Sequence, residues 1–235
     1  MNLILLFDAD FTAPCHVRLT GRRFEHIRTV LKSKAGDELC IGLLNGQIGQ
    51  GRIVKMDGEA VEISAAFTQA PPLALPLTLI IPMIRPPMFK RLLFHATTLG
   101  IKKIIILNFS RVEKSLWQSS ALRPQAIQES LVLGLEQAKD TVLPQVIIKD
   151  RFKPFVEDEL PALAEGTLKL TAHPGGDTLV CPLLPEPVTL VIGPEGGFVP
   201  YEIKKLAELD FKIIDLGPRI LRVDTAISYI IGRVF

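Results

Sequence analysis

Three short stretches combine residue types and spacings that suit ligand chemistry: His173-Pro174-Gly175-Gly176, Gly193-Pro194-Glu195-Gly196-Gly197-Phe198, and Leu216-Gly217-Pro218-Arg219-Ile220-Leu221-Arg222-Val223-Asp224. The second is the most telling. Leu190, Val191 and Ile192 form an apolar, β-rich run of the kind a buried parallel strand requires, and the chain passes from it into a glycine-rich loop. Glycines tolerate backbone angles that other residues avoid and leave the backbone open to a ligand. Pro200 then presets a helical φ for YEIKKLAEL, so the loop delivers unpaired N–H groups at a helix start, a cradle for a nucleotide-like ligand. The same pattern also describes a plain strand-to-helix turn, and this loop alone does not separate the two.

The elements around the loops narrow the choice. From about residue 77 strand-like and helix-like runs alternate: LTLIIPMI, PPMFKRLLFHATTL closed at Gly100, KKIIILNF, AIQESLVLGLEQAK, QVIIK, FVEDELPALA, LKLTAH, VTLVIG, FKIIDLG and VDTAISYIIGRVF. This alternation predicts a parallel sheet covered by helices. Ligands of such sheets sit beyond the carboxyl ends of the strands, where all three loops fall. A dinucleotide-binding domain would place its glycines after the first strand, and a phosphate-binding Walker loop needs Gly-Lys-Ser or Gly-Lys-Thr. Here the glycines come late and no lysine accompanies them, so both common nucleotide folds are disfavoured.

Residues 1 to about 67 read differently. ELCIGLLNG, GQGRIVKM and AVEISAAF are short strands separated by Asn45-Gly46 and Asp57-Gly58 turns, the pattern of a small β-barrel or sandwich. One helical stretch interrupts them, RRFEHIRTVLK, with Phe24, Ile27, Val30 and Leu31 on one face and Arg22, Arg23, Arg28 and Lys32 predicted to be solvated. Residues 18 to 34 hold six basic side chains against the single acid Glu25, an excess of +5 in a chain whose formal charge is only +2. That local excess suits an anionic partner. Pro71, Pro72 and Pro76 mark a stiff linker near residues 68 to 76.

Composition excludes several classes. With 48% hydrophobic and 22% charged residues the chain is an ordinary globular protein of two domains. Cys15, Cys40 and Cys181 form no C-x-x-C pair, so neither a zinc site nor a disulfide framework is expected and a reducing cytoplasm fits best. The four histidines show no H-x-x-x-H spacing, which gives metal catalysis little support. NLILLF is too short for a signal peptide or membrane span and is followed by Asp8 and Asp10.

The pair GPEGGF and LGPRILRVDTA, with LGLEQAKDTVLPQV upstream of both, resembles the SPOUT methyltransferase superfamily and within it the ribosomal RNA small subunit methyltransferase E family, which methylates uridine N3. The resemblance covers essentially the whole chain. It implies a PUA-like RNA-binding β-barrel over 1–70 and a SPOUT α/β domain with a C-terminal trefoil knot over 71–235. The family pattern has glutamate where this chain has Thr98, a charged turn where it has Arg85-Pro86-Pro87, Ser or Thr at Val199, and glutamate at Asp224. The implied donor is S-adenosylmethionine, so no metal is needed. The implied acceptor is small-subunit ribosomal RNA, and the implied assembly is a homodimer, with the apolar terminal helix either an interface or core.

The resemblance also implies roles for particular residues. Gly193, Pro194, Glu195, Gly196, Gly197, Leu216 and Gly217 would hold the donor, Ile220 and Leu221 would wall the adenine, and Ala172 and His173 would close the third side, unless His173 is simply a satisfied loop histidine. Uracil N3 is a weak imide acid, so methylation needs its proton removed and the resulting charge stabilised. Arg222 is the expected cation, with a structural salt bridge to Asp224 or Glu195 as the competing reading. Glu195 and Asp224 are the candidate bases. Arg22, Arg23, His26, Arg28 and Lys32 would meet RNA phosphates. A SPOUT ribose 2′-O-methyltransferase and a non-catalytic ribosome assembly factor are the alternatives.

Overall fold

Apolar runs of β-branched residues build two sheets in the computed structural model, which describes residues 2–178 and 186–235. Cys181 lies outside the described residues. The chain divides into two compact units, residues 1–73 with 131–143, and residues 74–130 with 144–235.

The first unit is a six-stranded sheet in the order β1-β4-β5-β6-β3-β2. Its strands are β1 (Ile4–Leu6), β2 (Phe11–Ala13), β3 (His16–Leu19), β4 (Glu38–Leu43), β5 (Ile48–Met56) and β6 (Val61–Gln69). Ile4 and Leu6 of β1 share one core with Val17 and Leu19 of β3, although three strands separate them in the sheet. The sheet is therefore curled around its apolar face as a partial barrel. NLILLF, read above only for what it excludes, supplies β1, and its pairing with β4 is parallel. The β5–β6 turn is fixed by Asp57, whose carboxylate accepts from the N–H groups of Glu59 and Ala60, both at 2.8 Å. Those two bonds hold its pKa below the ordinary carboxylate value.

The helical stretch of this unit is α1 (Gly21–Glu25), continued by a π-helical turn (His26–Leu31) that ends where Lys32 takes a left-handed conformation. Phe24 and Ile27 enter the core as their spacing predicts, whereas Val30 and Leu31 are exposed. The wider π turn rotates the face after Ile27, which removes the last two apolar residues from the core.

The second unit is a parallel sheet in the order β12-β10-β11-β7-β8-β9. Its strands are β7 (Leu75–Pro82), β8 (Ile101–Leu107), β9 (Gln145–Lys149), β10 (Leu168–Thr178), β11 (Val188–Ile192) and β12 (Lys212–Asp215). All five residues of β11 are buried, as expected of a strand covered on both faces. The helices are α2 (Pro86–Thr98), α3 (Pro124–Ala138), whose residues from Leu131 onward belong to the first unit, the short α4 (Phe152–Pro154) and α5 (Leu160–Leu163), α6 (Pro200–Glu208) and α7 (Val223–Val234). Pro86 opens α2 and Gly100, at φ +83°, follows its end. In α7, Val223, Ala226, Ile227, Ile230, Ile231 and Val234 are buried within the unit, so its apolar face is core. Among the described residues no helix is long and apolar enough to cross a membrane.

Candidate active site

Because β10, β11 and β12 are adjacent in the sheet, the exits of β11 and β12 lie beside the stretch of β10 where its pairing with β12 slips register, between Ala172 and Asp177. They surround one cavity of about 890 Å³, within the roughly 300–1,000 Å³ typical of small-molecule and cofactor pockets. Ala172 and His173 contribute from β10, which runs on through Gly175 and Gly176 to Thr178 and makes the expected HPGG loop an irregular stretch within the strand, Gly193 to Gly197 from the exit of β11, and Leu216, Gly217, Ile220, Leu221 and Arg222 from the exit of β12. Asp224 lies in the first turn of α7 and is not part of the wall.

The glycines have separate physical reasons. Gly197 adopts φ +73° and Gly217 φ +106°, conformations that favour glycine, whereas Gly193 and Gly196 are not in the left-handed region. Gly197 N–H closes a turn onto the Pro194 carbonyl at 2.7 Å, with glycine at the final turn position. A Cβ on Gly193 would sit 2.7 Å from the Phe198 ring, so at this position glycine makes room for protein and not for a ligand. A Cβ on Gly196 would meet the Arg111 side chain at 3.4 Å, whereas one on Gly217 would meet nothing within 4 Å. Gly217 thus borders open space on the cavity side.

The second loop is anchored from below. Phe198 is buried and packs edge-on against Phe109 and His173, with ring centroids 5.4 and 5.9 Å away. Val199 offers no capping side chain to α6. Glu202, fully buried, replaces part of that function: one carboxylate oxygen accepts from Val199 N–H at 2.9 Å, the other from Ser110 N–H at 2.7 Å. The carboxylate thereby ties the loop after β8 to the start of α6. Arg111, next to Ser110, donates to the Gly196 carbonyl at 2.6 Å and fixes the tip of the glycine loop.

Asp215 fastens the other two loops together. Its carboxylate accepts from Gly175 N–H at 2.8 Å and Gly217 N–H at 2.7 Å. These bonds, with a smaller contribution from His173, hold the group below the usual carboxylate range.

Arg222 reaches the cavity wall from the N-cap position of α7. Its Nε lies 3.6 Å from Asp224 and its Nη2 2.8 Å from the Met88 sulfur. Asp224 is also 3.3 Å from Arg91, and its side chain is 9% exposed against 57% for Arg222. The salt bridge anticipated for Arg222 exists, to Asp224, yet the guanidinium remains at the cavity. Glu195 is exposed on the wall. Ile220, expected to wall an adenine, is 85% exposed and stands at the mouth.

The residues expected to meet RNA belong to the first unit and are differently placed. Arg22 makes a two-pronged pair with Glu136 at 2.9 and 3.0 Å, and the Glu136 side chain is only 1% exposed. Arg23 pairs with Asp10, donates to the Leu5 carbonyl at 2.8 Å and stacks over Phe7. With 16% of its side chain exposed, Arg23 does not lie on the solvated face predicted for it. Its reach to Asp10 and Leu5, on the neighbouring strand segment, draws it inward. Arg28 stays at the surface beside Glu25, 2.8 Å away, and Lys32 is exposed; His26 is half-buried.

Arg85, Met88, Arg111, Phe198, Asp215 and Arg219 also line the cavity, although none of them was expected as a site residue. Asp215 and Arg219 lie beside or within a glycine loop already noted. Arg85 and Arg111 share a weaker signal, each being a basic residue just beyond an apolar strand.

Comparison with known proteins gives the site its context. The RNA methyltransferase domain model matches residues 71–234, and the RNA methyltransferase PUA domain model matches residues 19–65. The chain belongs to the RNA methyltransferase family. Ribosomal RNA small subunit methyltransferase E of Treponema pallidum is 28% identical over 232 residues, covering 96% of this chain and 87% of that protein. Ribosomal RNA small subunit methyltransferase E 1 of Borreliella burgdorferi is 26% identical, covering 96% and 94%. Among solved structures, a Legionella pneumophila methyltransferase with bound cofactor SAM superposes with a TM-score of 0.77 at 22% identity, over 98% of this chain and 95% of that one. Ribosomal RNA small subunit methyltransferase E from Neisseria gonorrhoeae, bound to S-adenosyl methionine, has a TM-score of 0.72 at 21% identity, over 99% and 97%. These two likenesses establish the shared fold.

Proposed function

We propose that the protein transfers a methyl group from S-adenosylmethionine to N3 of a uridine in small-subunit (16S) ribosomal RNA. The observation that carries the reading is the convergence of the irregular stretch of β10 and the exits of β11 and β12 on one cavity, in a chain of the RNA methyltransferase family. The donor fits what these residues offer. The cavity has the right size, an apolar lining from Ile192, Leu216, Leu221 and Val223, and an open backbone face at Gly217. When bound, the donor supplies an electrophilic methyl group on a sulfonium, so no metal need activate it.

The residues of the chain do the rest. Ala172, His173, Gly193 to Gly197, Leu216, Gly217, Ile220 and Leu221 shape the donor site, and Asp215 and Glu202 hold its loops in register. Arg222, steadied by Asp224, stabilises the negative charge that spreads onto the uracil carbonyl oxygens as N3 loses its proton. Glu195 accepts that proton, because it is exposed on the wall, whereas Asp224 is largely buried between two arginines. Proximity of donor and acceptor in a preformed pocket supplies much of the remaining acceleration.

In this reading residues 1–70 form an RNA-binding domain and 71–235 the catalytic domain. Arg28 and Lys32, with His26, contribute phosphate contacts, while Arg22 and Arg23 chiefly hold the first unit together. A cytoplasmic homodimer is part of the same proposal; sedimentation equilibrium at twice the chain mass tests the dimer. The activity is tested by incubating tritiated S-adenosylmethionine with small subunits lacking the modification, followed by nucleoside analysis. Label in 3-methyluridine is expected. Label in ribose would indicate a 2′-O-methyltransferase, and its absence would leave an assembly factor.

A further inference from the structure

Four guanidiniums, from Arg85, Arg111, Arg219 and Arg222, line the cavity against the two carboxylates of Glu195 and Asp215. Two are held by the protein: Arg111 on the Gly196 carbonyl and Arg222 beside Asp224. Arg85 and Arg219 are different. Both are exposed, and among the described residues neither side chain has a hydrogen-bond or ion-pair partner. They also come from opposite sides. Arg219 follows β12 and Arg85 follows β7, and of the two strands between them in the sheet order β12-β10-β11-β7, β10 contains residues 172–174 and β11 leads into the loop at 193–197. The unpartnered cations therefore flank the loops assigned to the donor.

A bound S-adenosylmethionine presents one carboxylate, together with its own ammonium and sulfonium charges. It does not require two further guanidiniums on opposite flanks. A polyanion passing over the mouth does, and a guanidinium's planar fork suits phosphate oxygens. We propose that Arg85 and Arg219 form a phosphate clamp at the cavity mouth, gripping the RNA backbone beside the base that enters. The inference rests on the methyltransferase reading for its choice of RNA as the polyanion. It places the electrostatic grip nearest the reaction in the second unit, separate from the basic helix of the first.

The test uses the full chain and in vitro transcribed 16S ribosomal RNA, with RNA affinity measured across a salt series and S-adenosylmethionine affinity measured by calorimetry. For Arg85→Gln/Arg219→Gln, loss of two phosphate contacts should flatten the slope of log K against log salt by about 1.4 and weaken RNA binding about tenfold or more at low salt. Donor affinity should stay within twofold, and the thermal midpoint should not move, since neither side chain is packed. Arg85→Lys/Arg219→Lys should restore most of the slope. An unchanged slope overturns the clamp, as does absence of salt-dependent RNA binding by the unaltered protein. A slope that stays constant while donor affinity falls would overturn it too and assign the arginines to the donor carboxylate. The unaltered protein, run in parallel for methyl transfer, separates the two ideas: a flattened slope without transfer would retain the clamp and remove the enzyme reading.

Discussion

The helix at residues 21–31 and the cavity mouth of the second unit are both rich in arginine, and their arginines do opposite things. On the helix, Arg22, Arg23 and Arg28 each face a carboxylate: Glu136, Asp10 and Glu25. At the mouth, Arg85 and Arg219 form no ion pair among the described residues. A local charge excess counted along the chain says nothing of which charges are neutralised across it. Glu136 lies 114 residues from Arg22 in sequence, and only the fold brings the two together.

Four substitutions would break or sharpen this contrast. The largest effect is expected for Arg222→Ala. Losing an electrostatic donor aimed at developing charge typically raises a barrier by about 2.7–4 kcal/mol, so turnover should fall between a hundredfold and a thousandfold with donor affinity almost unchanged. An equal loss of donor affinity, measured by calorimetry, would move Arg222 to the donor side. Next is Arg22→Ala, which leaves the Glu136 carboxylate buried without its counter-ion. Breaking a fully buried pair costs about 3–5 kcal/mol, and the half-exposed Arg22 reduces that to roughly 2 kcal/mol, visible as a lower denaturant midpoint. The RNA salt slope should be unchanged, and a flattened slope at full stability would return Arg22 to the RNA surface.

Asp215→Asn should weaken donor binding severalfold, measured by calorimetry, since one of its two charge-assisted bonds to the Gly175 and Gly217 N–H groups is lost. The pH dependence has a defined sign. Because the folded state lowers the pKa of Asp215, its contribution is complete above the unfolded carboxylate value of about 3.9 and is lost as pH falls through the lower folded value. Donor affinity followed by fluorescence should therefore hold from pH 7 to about pH 4 as far as this group is concerned. A decline centred near pH 6 that the Asn variant abolishes would contradict the assignment. The smallest effect is expected for Arg28→Ala. Its pair with Glu25 is about half exposed on both sides, so stability should change by less than about 0.5 kcal/mol while RNA affinity drops modestly.

Much of the architecture was legible in the chain. The parallel sheet announces itself through KKIIILNF and VTLVIG, because strands covered on both faces are largely apolar, while FKIIDLG supplies an edge strand, Lys212–Asp215, in which only Ile214 is buried. The loops at 193–197 and 216–222 were legible because their glycines follow the strands of VTLVIG and FKIIDLG, whereas Gly175 and Gly176, expected in a third loop, lie within β10. Shorter elements escaped: β1, β2 and β3 have three or four residues each, too few to show a period. The grouping of residues 131–143 with the first unit could not be read either, since α3 is one continuous helical pattern. Within the site, the pattern showed that Gly193 is special and gave no hint that the Phe198 ring is the reason. Arg85 and Arg111 precede the 193–197 loop by more than eighty residues in sequence, and the sheet order alone brings them to that cavity.

The central claim is that the three loops form the donor site, and a crystal structure with S-adenosylmethionine at saturating concentration tests it most directly. Density for the donor is expected within the cavity, bordered by Ala172, the 193–197 loop and Gly217, with Arg222 facing the transferable methyl group. Donor density elsewhere, or an empty cavity at saturation, would contradict the account.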